Sequence, residues 1–166
     1  MKLKYISWIP AVLLIITIFL YSSKEAETSN DSSMNIAKKV LTLYEKLTNT
    51  QVQQQEKMQI LDTINHIVRK TAHFCEYALL SISIAFHIFV IGNRKKWLFL
   101  LPVFISFLNA SLDEIHQIFV PGRAGMVRDV LLDTAGAAAG SLFFYLFVLS
   151  LCKKRITRTK GPAKTD

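Results

Sequence analysis

Residues 99–123 read FLLPVFISFLNASLDEIHQIFVPGR. A mainly apolar run is followed, within a few positions, by Asp113, Glu114, His116, Gln117 and Arg123. Charge placed against such a run is costly in a bilayer unless it reaches an interface or finds partners, so this stretch asks where the chain meets water. Across the chain the hydrophobic residues make up 51%, and they are bunched rather than spread in amphipathic periods. Three runs, 5–22, 71–91 and 130–152, reach the roughly 18 residues a membrane helix needs. A fourth, 97–112, suffices if its polar end lies at the interface. The sequence therefore predicts an all-α, four-helix transmembrane bundle.

The formal net charge of +8 would suit nucleic acid if it formed a patch, but its distribution argues otherwise. Basic residues cluster at Lys2 and Lys4, at Arg94, Lys95 and Lys96, and at Lys153, Lys154, Arg155, Arg158 and Lys160, each beside an apolar run. Between Lys24 and Lys70, seven basic and six acidic side chains nearly cancel. Basic loops mark the cytoplasmic side, which predicts both termini inside and excludes a nucleic-acid reading. The first run could be a secretory signal, since a basic start precedes an apolar core. Its exit, YSSKEAETS, lacks a clean small-x-small cleavage site, which favours an uncleaved anchor. Cys75 and Cys152 then fall near opposite faces, about 30 Å apart and beyond disulfide reach.

The division expected is an anchor at 5–22, an outer polar and amphipathic segment at 23–69, a core at 70–152 and a basic cytoplasmic tail at 153–166. The outer segment opens on SSKEAETSNDSS, which reads as a linker or a set of caps. Two short amphipathic helices follow, one through Ile36, Val40, Leu43 and Leu47 and one through Leu61, Ile64 and Ile67, with QVQQQE as the joint.

With this topology three polar stretches fall at one outer end of the bundle. Residues three or four apart share a helix face, which aligns Arg69, His73 and Glu76 (or Tyr77) on the second span. The same rule aligns Asn109, Asp113, His116 and Gln117 on the third, and Asp129 and Asp133 on the fourth. Glu76, Asp113, Asp129 and Asp133 are expected to face Arg69, Arg123 or Arg128, either as ion pairs that fix the bundle or as the wall of a polar pocket. Gly136 and Gly140, in GAAAG, form a small-xxx-small surface for helix packing. Val120–Arg123, VPGR, reads as a turn that presents Arg123.

Together RKTAHFCEYALL, SLDEIHQIFVPGRAG and RDVLLDTAGAAAG, in that order around a basic turn, resemble the VanZ family of bacterial membrane proteins. YSSKEAETS is similar to the serine pair after the first span in many members, although Lys24 stands where glutamine is common and the outer segment is long. The family takes its name from a protein linked to low-level resistance to teicoplanin, a lipoglycopeptide that acts on cell-wall precursors. The resemblance implies a bacterial cell-envelope role of that type and supplies no settled reaction.

Two functional readings follow. In the first, an enzyme acts on a membrane lipid or cell-wall precursor at the outer leaflet. His73 or His116 would exchange protons, oriented by Glu76, Asp113 or Glu114. Arg123, with Arg69 or Arg128 and with Gln117, Asp129 and Asp133 nearby, would hold a phosphate or carboxylate. In the second, a binding module uses the same arginines without chemistry, to recognise an anionic headgroup or a glycopeptide antibiotic and change its access to the wall. No organic cofactor is expected. A divalent metal on Asp129, Asp133 and a histidine is a variant, although no tight motif such as H-E-x-x-H occurs. Transport is disfavoured, since few polar residues, Ser81 and Ser83 chief among them, stand at mid-depth of the second and fourth spans; His87, near the inner end, reads as a snorkelling or packing residue.

Overall fold

The computed structural model describes residues 3–23, 26–92 and 97–159, with side chains described at 3–23, 31–92 and 97–153. Lys2, Lys24, the turn at 93–96 and the basic side chains beyond Lys153 lie outside those residues. The chain forms α1 (Leu3–Ile6), α2 (Ile9–Ser22), α3 (Ala26–Thr48), α4 (Gln54–Val90), α5 (Trp97–Gln117) and α6 (Val127–Thr159), with no strand among the described residues. Four helical segments are long and apolar enough to cross a membrane: Leu3–Ser22, Gln54–Val90, Trp97–Gln117 and Val127–Lys153. The expected all-helical bundle is therefore the observed one.

One boundary differs. The second outer helix is not separate, because α4 runs unbroken for 37 residues, about 55 Å at the helical rise, against a hydrocarbon core of roughly 30 Å. No glycine or proline interrupts residues 54–90, so the helix continues through a polar stretch where the apolar pattern alone would start a new element. The linker-like opening of the outer segment is helical from Ala26. Asn49, at φ 50°, ends α3 in the left-handed conformation that asparagine tolerates. The chain then turns back, so that α3 packs on the first half of α4 through Ala37, Leu41 and Leu61. The stripe through Ile36, Val40, Leu43 and Leu47 is exposed, and the contact face is instead Ser33, Ala37 and Leu41, where smaller side chains admit α4.

The main core joins all the spans through Ile18, Tyr77, Leu80, Ile84, Leu98, Ala110, Ala137, Phe144 and Val148. Outward-facing Leu79, Phe104, Leu112, Phe143 and Leu146 are exposed, as lipid-facing side chains must be. The tightest seam is α6 on α4. A Cβ at Gly136 or Gly140 would collide with the carbonyl oxygen of Phe74 or of Ala78, so GAAAG is a packing surface. Pro102, inside α5, has no N–H to give the carbonyl of Leu98 four residues back. The buried Ser141 hydroxyl on α6 faces that carbonyl and the carbonyl of Phe99, each at 3.1 Å, and so supplies the missing donor from a neighbouring helix.

Candidate functional site

At one end of the bundle, the middle of α4, the last turns of α5, the loop 118–126 and the first turns of α6 come together. The loop is tied down by backbone. The Met126 N–H donates to Glu114 Oε2 at 2.7 Å, and a Cβ at Gly125 would strike the Glu114 carbonyl, so the loop lies directly on the end of α5. Its reversal is the expected turn: the Arg123 N–H donates to the Val120 carbonyl at 3.1 Å, and Gly122 takes φ +74°, which side chains disfavour.

The turn places Arg123 over a recess of about 240 Å³, lined by Arg69, Lys70, His73, Gln117, Arg123 and Asp129, with His66 at its edge. A second recess, also about 240 Å³, lies on the other side of Arg69, His73 and Arg123 and is walled by Ile18, Ser22, Ala72 and Glu76. Three side chains thus belong to both spaces. Below them, the phenol of fully buried Tyr77 accepts a hydrogen bond from Asn109 Nδ2 at 3.3 Å.

Electrostatics differ from the expected arginine–carboxylate pairs. Among the described residues, Asp129 pairs with Lys70, and Asp133 lies 3.9 Å from His73 Nδ1; no carboxylate pairs with Arg69 or Arg123. The cause is the rotation of α4. Lys70, one residue beyond Arg69 and so about 100° around the helix, points toward α6, which leaves Arg69 beside Arg123. Burial lowers the proton affinity of Arg123, the adjacent Arg69 guanidinium lowers it further, and Asp113 and Glu114 oppose both effects. Two guanidinium groups held near one another without a paired carboxylate have the chemistry to receive an anion.

Beneath the arginines lie buried acids. Asp133 is 1% exposed, and neither of its carboxylate oxygens has a hydrogen-bond partner among the described residues. Asp113, 4% exposed, accepts from Gln117 Nε2 through Oδ2 at 3.0 Å, while its Oδ1 is unpartnered. Groups this buried are normally satisfied, so leaving these oxygens unpaired is costly in stability.

Of the residues expected at the site, Arg69, His73, Gln117, Arg123 and Asp129 line the first recess, and Glu76 lines the second. Asp113 and Asp133 stand behind them. Glu114 is engaged by the loop. Arg128 is exposed on α6 and lines neither space. His116 does not join His73: its Nε2 lies 3.1 Å from Ser23 Oγ, and its ring packs on Phe19 with centroids 4.5 Å apart. Gln117 follows Asp113 by four residues and shares its face, which turns His116 toward α2.

The expectation missed Lys70, His66 and Ser22. His66, Lys70 and His73 keep helical spacing, a signal visible only once α4 is extended upward past residue 71. Ser22 Oγ is buried without a partner in the wall of the second recess; its sequence sign was the serine pair that closes the first span. Among the described residues, no three His, Cys, Asp or Glu side chains are grouped so as to hold a metal ion. Cys75 and Cys152 are free thiols.

Fold and site together define a multi-pass helical membrane protein with a cationic recess backed by buried acids at one end. The family model VanZ/LLP1 matches residues 7–148, and the chain belongs to that family. Comparison with curated proteins and with solved structures found no match.

Proposed function

We propose that the recess faces the outer leaflet and binds the anionic headgroup of a membrane lipid or lipid-linked cell-wall precursor, and that through this binding the protein contributes to teicoplanin-type resistance. The observation that carries the reading is the pair Arg69 and Arg123, side by side on one recess and without a carboxylate partner among the described residues. A phosphate or carboxylate between two guanidinium groups makes charge-assisted, forked hydrogen bonds. The basic clusters beside the other ends of the spans support an outward recess, with both termini inside.

His73 favours a second reading, hydrolysis or transfer on the same substrate. It lines both recesses and is backed by Asp133, the arrangement of a proton-exchanging imidazole with an orienting acid. In cells expressing the protein, Arg123→Ala is expected to abolish protection against teicoplanin. If His73→Gln also abolishes protection, and the lipid and wall-precursor profile loses a species, catalysis is supported. If protection survives His73→Gln, the protein is a binder. Full protection with Arg123→Ala would overturn the anion-site reading.

A further inference from the structure

We infer that the site continues into the membrane, and that an apolar groove between α2 and α5 holds the hydrocarbon chain of the same anionic amphiphile whose head sits under Arg123. This rests on the headgroup reading above. The groove has a volume of about 360 Å³, the lower end of the range for small-molecule sites. Ile15, Ile16, Phe19 and Leu20 of α2 face Asn109, Leu112 and Asp113 of α5 across it. Both walls belong to segments long and apolar enough to cross a membrane, so in a bilayer the groove opens toward lipid.

Two wall residues, Asn109 and Asp113, are out of keeping with a plain lipid-facing crevice. Asn109 donates to the Tyr77 phenol, and Asp113 is the one with an unpartnered oxygen. Asp113 lines the groove, is 96% buried (4% exposed), and keeps Oδ1 unpartnered. A carboxyl oxygen in such surroundings is costly unless a donor meets it. Its other oxygen is held by Gln117, which lines the cationic recess. The Asp113–Gln117 pair is therefore the partition between head space and chain space. An amphiphile that spans it brings its junction to Asp113 and requires a hydroxyl or amide N–H there. The groove takes a chain, Asp113 takes the donor at the junction, and Arg69 and Arg123 take the anion. At the rim, Ser23 and Phe19 hold His116, which fastens α2 to α5 above the groove and leaves its lipid side open.

The test uses the full chain in phosphatidylcholine nanodiscs with lysophosphatidic acid that carries a diazirine in its acyl chain. This probe has the phosphate, the junction hydroxyl and one chain. After photolysis, label is expected on Ile16, Leu20 and Leu112 in preference to Phe143 and Leu146, which are comparably exposed on α6. Excess unlabelled lysophosphatidic acid should compete it away. Asp113→Leu and Arg123→Ala should each reduce groove labelling about tenfold, the loss of one charge-assisted contact, and Ile16→Trp or Leu112→Trp, which fill the groove from opposite walls, should abolish it.

Label spread evenly over the lipid-facing helices overturns the groove. Label in the groove that is indifferent to both Asp113→Leu and Arg123→Ala reports ordinary annular lipid and overturns the single-site inference. Calorimetric titration with glycerol 3-phosphate separates the two levels. If it binds in an Arg123-dependent way while the chain label scatters, the headgroup reading stands and the groove falls. If neither probe binds, both fall.

Discussion

The α4–α6 seam and the α2–α5 seam join helices of similar composition to opposite effect. On α6, Gly136 and Gly140 bring the helix so close that the carbonyl oxygens of Phe74 and Ala78 occupy the space a Cβ would need. Each glycine costs a helix roughly 0.5–1 kcal/mol relative to alanine, which close backbone packing in the membrane offsets. On α2 the side chains toward α5 are large, and the helices are held together at the rim by Ser23 and Phe19 against His116, with a groove beneath. The difference teaches that one seam fixes the positions of His73 and Asp133, whereas the other leaves room.

The largest effect should come from closing that difference. Gly140→Leu forces a side chain into the Ala78 carbonyl, and Ser81 Oγ would lie 2.6 Å from the new Cβ, so a loss of about 3 kcal/mol or more is expected. Ile16→Ala, on the loose seam and already half open to lipid, should cost well under that. Thermal unfolding of the two variants in detergent compares the seams directly; equal losses would refute the contrast.

The upper end of the tight seam predicts a change of opposite sign. Asp133 is buried with both oxygens unpartnered, on the same face of α6 as Gly136 and Gly140. Asp133→Val removes that liability at similar size and should stabilise the protein by about 1–2 kcal/mol and, on the proposed function, reduce teicoplanin protection. A destabilised Asp133→Val would mean that the acid is a structural clamp.

How far this was legible in the sequence follows from the same geometry. The four spans could be read because apolar length alone decides them, and the common polar end because three separate stretches carry charge at corresponding depths. Helix rotation could not be read. Arg69 and Lys70 are neighbours about 100° apart, and which of them meets Asp129 depends on how α4 is turned by the glycines of α6. His116 and Gln117 pose the same problem on α5, and there too the expectation merged two faces into one. The length of α4 was missed for another reason: the boundary was drawn where apolarity ends, although nothing at 54–70 breaks a helix.

A smaller effect tests the repair of α5. Ser141 is fully buried and is the donor that meets the Leu98 carbonyl left over by Pro102. Ser141→Ala should cost about 1 kcal/mol, since hydrogen bonds between membrane helices are worth about that or less. Pro102→Ala restores the internal donor and should make Ser141→Ala nearly silent. A double-mutant cycle on unfolding in detergent measures the coupling; purely additive losses would show that Ser141 serves some other contact.

The smallest change belongs to the opposite end of the first span, where it meets α4 and not α5. Ser7 Oγ lies 2.8 Å from His87 Nδ1 on α4, so the histidine left as a packing residue fastens the start of the first span. Ser7→Ala should cost only about 0.5 kcal/mol, because few other contacts depend on it. Its value is in what moves. Ser7 and Ser23 hold the two ends of one span, so losing either should let α2 swing and widen the groove, whereas losing Ser141 should not. A spin-label pair on α2 and α5, at Ile16 and Leu108, would show a broadened distance distribution for Ser7→Ala and Ser23→Ala and an unchanged one for Ser141→Ala. If all three broaden alike, the groove is a general looseness of the bundle and not a property of the α2 seam.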